Sequence, residues 1–349
     1  VPVEQDGPTR PETHVETQTF ESERAAVSAN LGASASERPL APVRDAALTG
    51  ARDALRAGGT AASGEALVRL ALPKGRMQAG VERLLSDAGL ALLGNERDYR
   101  PRLGGFDTKR LKPRAIVQML ASGSRDVGFC GLDWVRDEGA QLVELVDTGL
   151  DPVRVAIAAP AAVAAALARG ERPDRLRLAS EFERLPRAWA AERGLDVQFV
   201  RSFGATEVLP PEDADAICDV VQTGGTLRAN GLEPVETLLE SSTRLFANPA
   251  ALADPARRAR IDELVLLVKG VLAARERVVL ELNVAPADFD RVVALVPCMR
   301  KPTIAALADG AGFAIKAAVP RADLARLVPT LEAAGGRDLL VSRLELIVP

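Results

Sequence analysis

The chain has 349 residues, a formal net charge of −4 and a single histidine, His14. That length allows two or three domains with a substantial core, and the acidic balance gives no support to a broad nucleic-acid footprint. Three widely spaced cysteines, Cys130, Cys218 and Cys298, argue against a disulfide scaffold or a Cys/His zinc site, and chemistry built on a histidine base is close to excluded.

Residues 1–64 differ from the rest. Leu, Ile, Val and Phe make up only ten of them, about 16%, below the range that supports a packed core. A disordered extension outside the fold is expected there. No apolar run of signal-peptide kind follows a basic start, and no run of about 20 apolar residues occurs that could span a membrane. A cytoplasmic location with reduced thiols and no membrane contact is the expectation.

Beyond residue 65, short β-branched runs alternate with helical patterns. A strand is predicted over 67–72, then Pro73-Lys74-Gly75-Arg76, then a helix over 78–88. Lys109, Arg110 and Lys112 read most simply as a solvated basic face ahead of a helix over 114–121. A buried strand over 126–130 ends at Gly131, with Asp133 just beyond it. Strands follow over 141–147 and 153–159, a helix over 160–169, a strand over 175–179, a helix over 184–193 and a strand over 197–201. A strand over 214–221 leads to a helix opening at 226–230. This alternation is that of α/β layers with mostly parallel sheets. The last stretch reads as strand 277–284, helix 286–296, strands 302–307 and 312–319, helix 321–334 and strand 339–347. That order, βαββαβ, is a ferredoxin-like arrangement.

The most informative stretch runs from Asp213 to Asn230. A buried strand delivers Asp219 near its carboxyl end, and the loop Thr223-Gly224-Gly225-Thr226 then turns into a helix. Two glycines let the backbone approach a bound group closely, and the helix start adds N–H groups and a positive partial charge. Two threonine hydroxyls flank them, which suits a phosphate monoester, and a carboxylate just upstream suits the vicinal hydroxyls of a ribose. Together they describe a 5-phosphoribosyl site. Lys74 and Arg76 form a second candidate anion site at a strand's carboxyl end. Asp133 is a strand terminus or a site acid. Glu207, Glu212, Asp213 and Asp215 precede the loop, and Mg²⁺ held through substrate phosphates needs only one or two such carboxylates. Cys130 and Cys218 read as inert core thiols.

These residues carry a family resemblance. Leu70-Ala-Leu-Pro-Lys-Gly-Arg76, Asp126-Val-Gly-Phe-Cys-Gly131 and the block from Ala214 to Gly231 closely resemble ATP phosphoribosyltransferase. Glu240–Pro249, Pro297–Ile304 and Val341–Pro349 resemble the same family's returning strand and C-terminal regulatory domain. The likeness runs in order from about residue 67 to the end. It implies a two-lobed, type II periplasmic-binding-protein-like catalytic core with the active site in the cleft. The implied division is lobe I over 65–159 and 245–272, lobe II over 160–244 and a regulatory domain over 273–349. It further implies the long form of the enzyme, a homo-hexamer (with a dimer as the lower state) inhibited by L-histidine, with no separate regulatory subunit.

On that resemblance N1 of ATP displaces pyrophosphate from phosphoribosyl pyrophosphate (PRPP) with Mg²⁺, the first committed step of histidine biosynthesis. Thr223, Gly224, Gly225 and Thr226 would meet the 5-phosphate, and Asp219 the ribose. Lys74 and Arg76 would meet pyrophosphate or ATP phosphates, with Asp215, Glu207 and Asp133 as further polar contacts. Histidine would bind near Thr303 and the turn from Gly335 to Leu339. Two other readings stand beside this one: a solute-binding protein of the same cleft fold, and a catalytically silent regulatory relative. The segment 207–215 is shorter than in many members of the family, and 1–64 has no counterpart in it.

Overall fold

A computed structural model describes residues 67–95 and 97–348; the extension expected over 1–64 lies outside them. The first part of the chain runs β1 (Val68–Pro73), α1 (Gln78–Asp87), β2 (Phe106–Leu111), α2 (Pro113–Ala121), β3 (Val127–Gly131) and α3 (Leu132–Glu138). Helix α1 forms because Val81, Leu84 and Leu85 recur at three- and four-residue spacing and are buried together. Pro113 opens α2 at a position where its missing N–H costs nothing. Strand β3 is apolar throughout, and β1 is apolar apart from Arg69, because helices pack on the sheet here.

The second part runs β4 (Val143–Pro160), α4 (Ala161–Ala168), β5 (Leu176–Ser180), α5 (Arg184–Glu192), β6 (Val197–Arg201), β7 (Ala216–Val221) and α6 (Gly225–Ala229). It closes with β8 (Leu232–Ala247), α7 (Pro249–Ala253) and α8 (Pro255–Arg275). All eight strands form one sheet in the order β2-β1-β3-β8-β4-β7-β5-β6. The outer pairs are parallel, as the alternating elements predict, but β3–β8, β8–β4 and β4–β7 are antiparallel. The sheet is therefore mixed. The two strands expected over 141–147 and 153–159 are the halves of one strand, β4, whose register against β8 shifts between Asp147 and Val153.

Several elements escaped the sequence reading, among them α3, α7 and most of β8; β2 and α8 are the most informative. Strand β2 alternates buried Phe106, Thr108 and Arg110 with half-buried neighbours, so the basic cluster is divided rather than solvated. Arg110 is interior, donating to the Asn95 and Asp98 carbonyls at 2.7 Å each and pairing with Glu82 at 2.8 Å. Helix α8 starts where the Asp254 side chain accepts from the Ala256 and Arg257 N–H groups. It buries Ile261, Leu264, Val268 and Val271.

The last part runs β9 (Arg277–Val284), α9 (Phe289–Leu295), β10 (Thr303–Ala306), β11 (Phe313–Pro320), α10 (Leu324–Ala333) and β12 (Gly336–Arg343). Its antiparallel sheet has the order β10-β11-β9-β12, the ferredoxin-like arrangement. The closing strand begins and ends earlier than its apolar pattern suggests, with a bulge between Arg337 and Leu340. The segment after it returns to α8, where the Ile347 N–H donates to the Gly270 carbonyl at 3.0 Å. A Cβ on Gly270 would lie 2.6 Å from Leu346 Cδ1 and 3.1 Å from the Ile347 carbonyl oxygen, so a larger residue would push the tail or the Leu346 side chain away.

Each half of the large sheet is tied by the same clasp. Arg69, second in β1, donates its backbone N–H and its Nη2 to Asp126 at 2.8 and 2.6 Å. Arg177, second in β5, does the same to Asp215 at 2.8 and 2.7 Å. Asp126 is 1% exposed and also meets Arg257, whereas Asp215 is 30% exposed. Burial raises the Asp126 carboxyl, but the Arg69 hydrogen bonds and the two guanidinium charges win and hold it below the ordinary range. Its contribution is thus present above the ordinary carboxylate pKa and lost as pH falls from there through the lowered folded-state value. Asp126→Ala is expected to cost about 3 kcal/mol and Asp215→Ala about 1 kcal/mol. Urea unfolding at pH 7 measures both, and equal losses would contradict the ranking.

Candidate active site

The carboxyl ends of β1 and β3 in one half of the sheet face those of β5 and β7 in the other across a cleft. Strand β7 buries Ala216, Ile217 and Cys218 completely and then releases Asp219 and Val220 into half-exposed positions. Burial pushes the Cys218 thiol, like that of Cys130, far above its ordinary pKa, so both are inert core groups as expected.

The loop after β7 depends on Gly224, whose φ of +73° is the left-handed region that glycine adopts without strain. That turn starts α6 at Gly225 and leaves its first N–H groups without intrahelical acceptors. Together with Glu207 and Gln222, Asp219 and the stretch from Thr223 to Thr226 line a cavity of about 230 Å³. One residue of the opposite half reaches the same cavity, and it is Arg76.

Asp219 is the electrostatic centre of this wall. Its carboxyl accepts from the Val220 N–H at 2.6 Å. Burial, the largest cause, together with the charges of Glu207 and Glu181, pushes it up to about 6; the Val220 N–H and the Thr206 hydroxyl act against that shift. Behind Arg76, Asp133 is 1% exposed, gives its N–H to the Ser241 hydroxyl at 3.1 Å and accepts from the Trp134 N–H at 2.9 Å. Burial raises its carboxyl too, opposed by the Trp134 N–H and the Ser241 hydroxyl acting on the carboxylate and by the Arg76 charge.

The structure thus brings Asp219, Thr223, Gly224, Gly225, Thr226, Glu207 and Arg76 together, with Asp133 beneath. It does not bring Asp215 to the cleft. That residue precedes β7, at the other end of the strand from the loop, and is held in the clasp with Arg177. Lys74 does not line the cavity either: its Nζ lies 3.3 Å from the centroid of the Tyr99 ring, a cation–π contact on an exposed aromatic. Thr303 lies on β10 and Leu339 on β12, the opposite edges of the small sheet, so one chain does not bring Thr303 together with Gly335 and Leu339. Glu181, Thr206 and Gln222 were missed. Glu181 follows the carboxyl end of β5, where the parallel topology itself points to a site; nothing in the sequence marks Thr206 or Gln222.

A contact between α3 and α5 fixes the two walls of the cleft. Asp137 is 5% exposed and accepts from the Glu183 and Leu185 N–H groups at 2.9 and 3.0 Å, capping a helix of the opposite half. The rings of Trp134 and Phe182 meet beside it at 4.5 Å.

A family model described as ATP phosphoribosyltransferase (HisG) matches residues 112–270, and one described as the HisG C-terminal domain matches residues 274–346. The ATP phosphoribosyltransferase of Chlorobaculum parvum is 33% identical over 280 residues, 78% of this chain and 95% of that protein. The same enzyme from Pelotomaculum thermopropionicum is 33% identical over 81% of this chain and 99% of its own length. The chain belongs to the ATP phosphoribosyltransferase family. It is a glycosyltransferase of histidine biosynthesis, in the long form that carries its C-terminal domain on the same chain. A solved ATP phosphoribosyltransferase (HisG:HisZ) complex from Thermotoga maritima aligns with a TM-score of 0.52 at 22% identity. It covers 58% of this chain and 99% of that one, and the likeness is one of fold.

The raised pKa of Asp219 makes a signed prediction. Between about pH 4 and 6 the folded protein keeps a proton that the unfolded chain has released, so stability falls as pH rises through that window. Asp219→Asn removes this slope and stabilises the ligand-free protein above pH 6, by up to about 3 kcal/mol. Denaturant midpoints at pH 4.5 and 7.5 measure it; a variant no more stable than wild type at pH 7.5 would refute the assignment.

Proposed function

We propose that the cleft transfers the phosphoribosyl group of PRPP to N1 of ATP, giving N1-(5-phosphoribosyl)-ATP and pyrophosphate. The observation that carries this reading is the Asp219 carboxyl and the Thr223–Thr226 loop on one wall, with Arg76 reaching in from the other. The loop N–H groups and threonine hydroxyls hold the 5-phosphate, and ionised Asp219 accepts from the ribose hydroxyls. Arg76 meets the pyrophosphate, and Lys74, on the same loop, supplies a second cation for ATP phosphate. The N1 lone pair forms the bond to C1 while the C1–oxygen bond breaks and its electron pair leaves on pyrophosphate. Positioning two polyanions and stabilising the leaving group are the main tasks, and neither needs a histidine.

Among the described residues no group of three or more His, Cys, Asp or Glu side chains could hold a metal ion by itself. Glu207, Asp219 and nearby Glu181 nevertheless put mutually repelling carboxylates beside a site for anions, which fits Mg²⁺ brought in on substrate phosphates. Glu207 and Asp219 are the residues that would hold it, and the ion would neutralise charge on the departing pyrophosphate.

The C-terminal domain, over 273–349, is proposed to bind L-histidine and lower the activity of a cytoplasmic homo-hexamer without a separate subunit. Since Thr303 and the Gly335–Leu339 turn sit on opposite sheet edges of one chain, the proposed site is shared between copies.

Release of pyrophosphate that requires both ATP and PRPP tests the reaction, and no release from folded, Mg²⁺-supplied protein would eliminate it. Thr226→Ala or Asp219→Ala is expected to lower kcat/KM for PRPP at least tenfold, about 1.4 kcal/mol. In wild type kcat/KM should rise with pH through about 6 as Asp219 ionises. Histidine should slow the wild-type reaction and leave a Thr303→Trp variant unaffected; equal inhibition of both would move the effector site elsewhere.

A further inference from the structure

The proposed reaction leaves a second concave surface unused, where the large sheet meets the C-terminal domain. A cavity of about 410 Å³ is lined there by Arg83, Asp87, Arg275, Arg277, Arg321 and Arg343, among smaller residues. Five guanidinium groups thus face one carboxylate. Asp87 is already engaged by Arg275 at 2.9 Å, and Arg277 donates to the Ala318 carbonyl at 3.4 Å. The Arg83, Arg321 and Arg343 guanidinium groups have no acceptor among the described residues. Glu276 and Glu345, close in sequence to Arg277 and Arg343, do not line the cavity.

Like charges gathered in a concave surface repel one another and raise the local concentration of anions. Guanidinium forks match phosphate oxygens two at a time, which a cluster of lysines would not do. The groups come from α1, the end of α8, the start of β9, the turn after β11 and the end of β12. They therefore converge from both the catalytic sheet and the C-terminal domain. We propose that this cavity is a binding site for a di- or triphosphate anion, separate from the cleft beside Asp219. Occupation would bridge the two parts of the chain and so couple them.

Calorimetric titration with tripolyphosphate tests the site. Because the catalytic cleft also takes phosphates on the reading above, the titration uses Thr226→Glu, which places a carboxylate in the phosphate loop. That variant is expected to bind one tripolyphosphate per chain. Adding Arg321→Gln and Arg343→Gln, both at exposed positions without side-chain partners, should weaken this binding at least tenfold and leave the ligand-free unfolding midpoint no lower. Undiminished affinity in the triple variant, or no binding by Thr226→Glu, would overturn the proposal. So would a change of subunit number on the arginine substitutions with affinity unaltered, since the cavity would then be a contact between copies. Repeating the titration with GTP separates the sources: equal affinity assigns the site to the inorganic anion, and tighter binding assigns it to a nucleotide. Pyrophosphate release by the wild-type enzyme is a separate measurement, so failure here leaves the reading of the cleft intact.

Discussion

The pairing of β4 with β8 carries the rest of the molecule. From Val143↔Ala247 to Leu150↔Thr243 the pair belongs to the half of the sheet that contains β3, and from Val153↔Ser241 to Pro160↔Leu232 to the half that contains β7. Two strands thus serve two lobes, and the ladder must break where they hand over. Gly149 at φ +64° and Asp151 at φ +48° mark that break. A broken ladder leaves backbone groups in need of partners, and hydroxyl side chains meet part of that need. Thr148 donates to the Thr243 carbonyl and accepts from the Leu150 N–H, Asp147 accepts from the Gly149 N–H, and Thr243 and Ser242 donate to the Asp151 and Asp147 carboxylates. The polar residues in the middle of two otherwise apolar strands are there for this reason, and Ser241 beside them supports Asp133 at the floor of the cleft.

On either side of that pair the chain repeats a design. Strand orders β2-β1-β3 and β6-β5-β7 are the same, and each trio is clasped by an arginine second in its central strand and an aspartate just before its inner one. The clasps sit at the amino ends of the strands, so they leave the carboxyl ends open for ligands, as parallel α/β units do. This division of labour explains the aspartate just before β7 and the one within it. Asp215 and Asp219 are four residues apart, roughly 13 Å along a strand, and one closes the bottom of the sheet while the other faces the cleft.

Most of the fold is legible in periodicity. The short parallel strands, the amphipathic helices and the βαββαβ order all follow from spacing and breakers. What periodicity does not reveal is antiparallel pairing between distant segments, so the 18-residue β4 reads as two strands. Strand β2 is hidden for another reason: Arg110 looks like surface until the Asn95 and Asp98 carbonyls and Glu82 surround it. Helix α8, by contrast, carried a complete signal in Asp254-Pro255 and the apolar positions that follow. In the site, the glycine turn and its flanking groups were readable because a left-handed turn after a strand demands glycine. Asp215 was misplaced because strand direction, not residue type, decides which end of a strand an acid occupies. Glu181 and Thr206 reach Asp219 only through the fold.

Charge is distributed in opposite senses at the two concave surfaces. Around Asp219 three carboxylates crowd a single wall, and one of them holds its proton to about pH 6. Such a wall repels a bare polyanion, so on the proposed reaction the backbone N–H groups of the loop, Arg76 and a phosphate-borne cation would together have to outweigh it. That arrangement favours a substrate that arrives with its own counterion over free phosphate. The cavity at the C-terminal domain has the reverse composition, with a single carboxylate among five guanidinium groups, and favours anions without a metal. The near-neutral total of 44 basic against 48 acidic residues therefore conceals the property that matters, which is where the two signs are gathered.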